Sequence, residues 1–159
     1  MKDALETKIG VRLTTSSTII PWIVIHAART RNRYQVGSDG KTAYKRWKGK
    51  DFKGEVAEIG ESILYLKAGT QGEHKFTPRW ENGIWLGVRD KFSKIIVGVD
   101  MGTVKAKDFK RLANPLEPWR KEAIMQMKAT PWEPIPGLVH DRLPEEEGSL
   151  QTTRARQPQ

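Results

Sequence analysis

Residues 84–106 read IWLGVRDKFSKIIVGVDMGTVKA and contain three short runs of β-branched and aromatic residues. The runs are separated by residues 89–94 and 100–102, both rich in residues that favour turns. A fourth run, Ser62–Leu66, lies upstream, with predicted turns at residues 69–72 and 81–83. Such short, closely spaced strands predict a small twisted sheet closed into a barrel over residues 54–113.

Helical patterns precede this sheet. A two-turn helix is predicted over Lys2–Ile9, and a second helix begins at Ser17 or Thr18. Thr42 can cap a third, short helix that ends at Gly49. The predicted fold class is therefore α+β, with a helical segment over residues 1–53. Four tryptophans of the helical segment and of the predicted sheet are assigned to packing: Trp22, Trp47, Trp80 and Trp85.

Prolines dominate the C-terminal part of the chain. From residue 114 onward seven prolines interrupt the sequence, and a helix is predicted only over residues 119–129. The acidic run at residues 145–147 and the polar terminus cannot bury enough apolar area to offset the entropy lost on ordering. The sequence therefore predicts a Pro-rich, partly disordered tail over residues 114–159.

The net charge of +9 is concentrated in one window, and the chain contains no cysteine. Between His26 and Lys53, nine Lys and Arg residues face only two aspartates. A field of one sign favours a polyanion as partner, and nucleic acid is the commonest intracellular one. The longest apolar stretch, residues 19–28, is shorter than the roughly 18 to 20 residues of a membrane span. An intracellular, non-secreted protein is expected.

Several patterns that suggest catalysis fail on their spacing. Gly40-Lys41-Thr42 resembles the end of a phosphate-binding loop, but the first glycine of that motif would fall at Gln35. The three histidines are scattered, and His26 is expected at the edge of a packed helix face. Two-metal phosphoryl chemistry needs converging carboxylates, and no such set is predicted. We expect no metal site and no complete catalytic site.

Short motifs along the chain carry a family resemblance. His26-Ala27-Ala28, Asn32-Arg33, residues 39–44, Trp47 and Gly49-Lys50 are similar to the end of the catalytic core of copia-type retrotransposon integrases. The resemblance continues in the later motifs, namely Gly60-Glu61, Lys75-Phe76, Arg79-Trp80, residues 83–88, Val97-Gly98 and Lys107-Asp108. Together they cover about residues 2–112.

The resemblance implies a fold and a role. It implies the last helices of a ribonuclease-H-like core followed by a small SH3-like barrel. Ala43 and Lys45 depart from the family's usual proline and glutamate, which makes this segment more basic. The family's two aspartates and one glutamate are expected before Met1, so DNA contact without turnover is implied. An intact enzyme of this family would use Mg²⁺ or Mn²⁺, whereas no cofactor is expected here.

The expected function is therefore that of a nucleic-acid-binding fragment of a retroelement integrase. Its partner would be duplex DNA, bound largely without sequence preference. An intact integrase or another retroelement polyprotein is a further expected partner. The expected location is the nucleus. Phosphate contacts are predicted at Arg29, Arg31, Arg33, Lys41, Lys45, Arg46, Lys48 and Lys50, with a second set at Lys105, Lys107, Lys110 and Arg111.

Two alternatives stay open at this point. A non-enzymatic small-barrel module could bind RNA or a protein ligand through its barrel aromatics. A degenerate reading frame would give a product that folds poorly and does nothing in the cell.

Overall fold

The computed structural model describes residues 1–67, 78–89, 94–112 and 118–137. The described helices and strands follow one another as α1 (Lys2–Ile9), α2 (Ile19–Tyr34), α3 (Ala43–Lys48), β1 (Ser62–Leu66), β2 (Trp80–Arg89), β3 (Lys94–Val99), β4 (Gly102–Ala106), β5 (Phe109–Arg111) and α4 (Lys121–Gln126). The α+β fold class predicted from the sequence is confirmed.

Local chemistry sets the ends of the short helices. Gly10 ends α1 and Gly49 ends α3, each in the left-handed conformation, with φ of 67° and 72°. Glycine adopts this conformation without the steric cost of a Cβ atom. The Thr42 hydroxyl caps α3 by accepting a hydrogen bond from Lys45 N at 3.1 Å. The predicted bounds of these two helices are therefore confirmed.

The five strands form one antiparallel sheet in the order β4-β3-β2-β1-β5. A register shift between Trp85 and Gly87 interrupts the pairing of β2 with β3. This bulge changes which side chains share a face, so that Trp85 and Val88 both lie in the same cluster. Among the described residues no pairing joins β4 to β5, and the sheet is open in that sense.

Two hydrophobic clusters lie on opposite sides of the sheet. The inner cluster is built around Trp85 and includes Ala106 and Phe109 from the two edge strands. The outer cluster packs Ile84 and Leu86 of β2 against the helices. Its buried helical members come from three elements: Leu5, Ile9, Ile19, Trp22, Ile23 and Ile124. The helical segment, the sheet and the segment after it therefore meet in the outer cluster.

The structure corrects one predicted turn. Residues 81–83 were expected to form a turn, but they continue β2 opposite β1. Gly83 is needed there because a Cβ atom would lie 2.3 Å from Cγ1 of Val97, too close for any other residue without rearrangement. Residues 69–72, another predicted turn, lie outside the described residues.

Part of the Pro-rich segment packs against the core. Trp22 Nε1 donates a hydrogen bond to the carbonyl of Ala129 at 2.9 Å, and Thr103 N donates to the carbonyl of Pro134 at 2.7 Å. The helix expected over residues 119–129 is shorter, at Lys121–Gln126. Residues 138–159, expected to be partly disordered, lie outside the described residues.

Candidate nucleic-acid interface

The second half of α2 presents a basic face to the sheet. His26, Arg29 and Arg33 recur at helical spacing, and His26 and Arg33 are buried. The Arg29 guanidinium lies beside Gly87 of β2, where a Cβ atom would come within 3.6 Å of its Nη1. Burial, and then the charges of Arg33 and Arg29, lower the pKa of His26. The expected place of His26 on the packed helix face is confirmed.

Arg33, for which the sequence predicts a phosphate contact, is buried in the structure. Only 4% of the residue is exposed. Its guanidinium carbon lies 4.3 Å from the centroid of the Phe52 ring, and Nη2 lies 3.4 Å from the carbonyl oxygen of Val88. The cation is therefore part of the packing between α2 and β2, and it is not available at the surface in this structure.

The solvent side of the same helix keeps one predicted cation exposed. Arg31 is exposed on α2, where its Nε donates to the side-chain oxygen of Gln35. Of the three arginines predicted on α2, the structure brings Arg29 and Arg33 together against β2 and leaves Arg31 on the opposite side.

The third helix, α3, is exposed, in contrast to the buried basic face of α2. None of the six described residues of α3 is buried. Arg46 donates two hydrogen bonds to the Asp39 carboxylate, one of them from Nε to Oδ2 at 2.9 Å. Lys45 Nζ lies 3.0 Å from Oδ2 of Asp51. Two of the predicted phosphate contacts therefore already have acidic partners.

The ion pair between Asp39 and Arg46 shifts the pKa of both groups. The Arg46 guanidinium holds the pKa of the Asp39 carboxyl well below its usual range, and the carboxylate raises the pKa of Arg46. Both side chains are close to half exposed, so solvent screens their attraction.

An aromatic row runs along this surface. Tyr34 and Tyr44 each meet the Phe52 ring edge-on, with centroids 6.2 Å and 5.4 Å away, and Tyr44 meets Trp47 at 6.4 Å. Trp47 was assigned to packing, and that prediction is wrong because 63% of the residue is exposed. The ammonium of Lys48 lies 3.8 Å from the centroid of its ring.

A cavity of about 590 Å³ lies between the segment after α3 and the ends of the strands. We call it the basic groove; the residues that line it are Tyr44, Lys50, Asp51, Phe52, Lys53, Gly54, Glu55, Val88, Ile95, Lys107, Asp108 and Phe109. Lys50 and Lys107 come from the two different sets predicted from the sequence. The groove therefore brings one member of each set to the same place.

Three acids, Asp51, Glu55 and Asp108, line the groove beside the lysines, and two of them have hydrogen-bonding partners in the described structure. Asp51 is paired with Lys45, and the Asp108 carboxylate accepts a hydrogen bond from Phe109 N at 2.9 Å. By contrast, none of Lys50, Lys53 and Lys107 forms an ion pair with a residue in the described part of the chain. All three lysines are exposed, so the groove presents cations that are free to meet an external anion.

The second predicted set does not form one patch. Lys105 is exposed on β4, and Lys110 Nζ lies 4.4 Å from the centroid of the Trp80 ring on β2. Arg111 donates two hydrogen bonds to the buried Glu61 carboxylate, at 2.6 Å and 3.0 Å. Lys41, from the first set, is exposed in the turn before α3.

Three cations near the groove were missed as site residues. Lys53 lines the groove, while Arg89 and Lys94 stand directly opposite each other at the ends of β2 and β3. Their strand neighbours Val88 and Ile95 also line it. Like charges directly opposite on paired strands are unfavourable. The position of two cations at the ends of adjacent predicted strands could have identified this pair from sequence.

Within the described residues, no group of three His, Asp or Glu side chains is placed to hold a metal ion. No described helix is long and apolar enough to cross a membrane.

Comparisons with known proteins give no relative for this chain. No family model matches it, and neither the curated proteins nor the solved structures include a match. Any assignment of function therefore depends on the geometry and charge described above and on the motif resemblance.

Proposed function

We propose that this protein binds nucleic acid, duplex DNA in the first place, through the basic groove. The observation that carries the proposal is the meeting of Lys50, Lys53 and Lys107 in one cavity without ion pairs to described residues. Two of these cations come from the loop after α3 and one follows β4. A phosphate backbone is the polyanion whose repeated charges suit several lysines in one groove.

The driving force would be counterion release. Each phosphate neutralised by Lys or Arg frees condensed cations, which lowers log Kobs by about 0.9 for each tenfold rise in salt concentration. Such contacts position a protein on DNA but carry no sequence information of their own. Binding is therefore expected to be largely independent of sequence and strongly dependent on salt.

We further propose that the chain is part of a retroelement integrase, acting in DNA integration as a binding element without turnover of its own. Support comes from the motif resemblance over about residues 2–112 and from short helices that precede a five-stranded antiparallel sheet. The two edge strands contribute Ala106 and Phe109 to one inner cluster, as strands of a small SH3-like barrel would. Nuclear location and assembly with an intact integrase belong to the same proposal.

The test is to change Lys50, Lys53 and Lys107 together to alanine. Binding to a fluorescein-labelled duplex is measured by anisotropy between 50 and 200 mM salt. If each lysine contacts one phosphate, the slope of log Kobs against log salt becomes less steep by roughly 2 to 3. Affinity at low salt falls along with it.

A matched control removes the same charge elsewhere. Arg12, Lys121 and Lys128 are exposed and lie away from the groove, so their triple alanine variant should keep the salt slope of the parent protein. Equal effects of the two variants would show that only net charge matters and would defeat the proposal. A marked preference of the parent protein for structured RNA over duplex DNA would instead favour the RNA-binding module.

A further inference from the structure

The exposed indole of Trp47 is the feature of this surface that the basic groove does not explain. Tryptophan is highly buried on average, and Trp22 and Trp85 follow that rule, with exposures of 3% and 0%. Trp47 leaves 63% of its surface in solvent, on a helix whose six residues contribute nothing to the core. Its ring therefore offers a large apolar face to a ligand at no cost in packing.

The surroundings of this ring are cationic. Helix α3 reads AYKRWK, so Trp47 has three basic neighbours and no acidic residue on its own helix. The Lys48 ammonium lies over the ring at 3.8 Å, and Lys50 follows two residues after it. A ligand that reaches the indole must tolerate or seek positive charge, which selects an anion that also carries a flat apolar group.

A second copy of the chain fits this surface poorly. Two copies that met through α3 would bring the Lys48 ammonium groups together, and like charges brought together are costly; Lys45 and Arg46 are already paired with Asp51 and Asp39. A nucleotide matches both features of this surface: its flat base can stack on the indole ring, and its phosphate can pair with the cations.

The ring is also connected to the groove. Tyr44 contacts Trp47 edge-on at 6.4 Å and lines the basic groove, where Phe52 lies next to it at 5.4 Å. A strand whose phosphates follow Lys50 and Lys53 would therefore pass close to the indole. Bases of duplex DNA are stacked on one another and do not present their faces, whereas unpaired bases do.

We propose that Trp47 is a stacking platform for the unpaired base of a single-stranded nucleic acid segment, with the lysines of the basic groove holding the adjacent phosphates. The proposal deepens the nucleic-acid-binding function and rests on it. Base and ring would stack face to face, a contact that tolerates any sequence because every base has a flat face. The base would take the face of the ring that Lys48 leaves open, and Lys48 would stay on its own face or move to a phosphate.

The test compares three ligands for the full chain at one low salt concentration. They are a labelled oligothymidylate, an abasic oligomer of the same length that has phosphates but no bases, and a duplex. Trp47→Ala should weaken binding of oligothymidylate about 5- to 150-fold, the range measured for loss of one base–aromatic stack. Binding of the abasic oligomer and of the duplex should change less than about twofold. Trp47→Phe keeps an aromatic face and should restore most of the affinity for oligothymidylate.

Trp132 supplies the control variant. It is 71% exposed, in the Pro-rich segment and away from α3, so Trp132→Ala removes an equally exposed indole and should leave all three affinities unchanged. Equal weakening of oligothymidylate and abasic oligomer by Trp47→Ala, or no weakening of either, would overturn the stacking proposal. A shift of Trp47→Ala from dimer to monomer in light scattering would overturn it too, because a second copy would then cover the ring.

The failures of the two proposals are distinguishable. If the parent protein binds none of the three ligands at low salt, the proposed function fails and stacking fails with it. If the lysine variant of the groove shows the expected shallower salt slope while Trp47→Ala does not discriminate between oligothymidylate and the abasic oligomer, only the stacking proposal fails.

Discussion

Helices α2 and α3 both contribute cations to the basic window and each carries a tryptophan, yet the structure buries one face of α2 and leaves α3 exposed. In α2 the indole of Trp22 is buried and the cations of Arg29 and Arg33 turn toward β2. In α3 no described residue is buried, and Trp47 stands in solvent. Composition therefore locates a basic region, while the rotation of each helix relative to the sheet decides which cations can meet a ligand.

The largest expected effect separates the two indoles by stability. Trp22→Ala should lower the free energy of unfolding by about 3 to 5 kcal/mol, because it leaves a cavity in the outer cluster and removes the donor to the Ala129 carbonyl. Trp47→Ala should change it by less than about 0.5 kcal/mol, as exposed substitutions usually do. Urea unfolding followed by circular dichroism measures both variants. A comparable loss from Trp47→Ala would mean that α3 supports the core after all.

If the chain were instead the product of a degenerate reading frame, the same urea unfolding experiment would give a different result. A chain that folds poorly would unfold without cooperativity, and neither indole would matter more than the other. A cooperative transition that Trp22→Ala shifts and Trp47→Ala does not would exclude that alternative.

The elements that could be predicted depend on local chemistry. Gly10, Thr42 and Gly49 fix the ends of α1 and α3 through backbone conformation and capping, which act within a few residues. Strands β1, β3 and β4 follow from their β-branched runs. Strand β5 could not be predicted in this way, because its three residues show no period and depend on pairing with β1.

The sequence predicts that this region is basic, but it does not predict which of its side chains face solvent. The basic window contains Lys50 and Lys53, and both line the groove. Nothing local in the sequence indicates that Arg33 packs on Phe52 while Trp47 does not pack, since both depend on contacts distant along the chain. Gly83 is a further example, because a turn is expected there from local sequence, whereas in the structure the residue continues β2 close to Val97.

A second prediction concerns the buried basic face of α2. The pKa of His26 is lowered by burial and by Arg33 and Arg29, so the unfolded chain takes up a proton near the usual value of 6.5 while the folded chain does not. Stability should therefore be fully present above about pH 6.5 and should decrease as the pH falls toward the lowered pKa. The slope should stay below the roughly 1.4 kcal/mol per pH unit that one complete proton would give.

The variant for this prediction is His26→Gln, which cannot titrate. Urea unfolding of the parent and the variant between pH 7.5 and 5 should show a flatter pH dependence for the variant. Because the other two histidines are present in both proteins, the difference between the curves isolates His26. Parallel curves would mean that His26 binds protons equally in the folded and unfolded chain and that the face tolerates another charge.

The smallest expected effect tests whether the acids beside α3 restrain its cations. Asp39→Asn removes the negative charge that holds Arg46 but keeps a side-chain oxygen for the hydrogen bond from Lys41 N. The freed guanidinium should contact phosphate, so duplex affinity at low salt should rise by about two- to fivefold and the salt slope should steepen by up to about 0.9. Asp3→Asn removes the same charge from α1, away from α3, and should raise affinity less. If the two substitutions act alike, Arg46 takes no part in binding, and Trp47 and the groove lysines would contact the ligand without it.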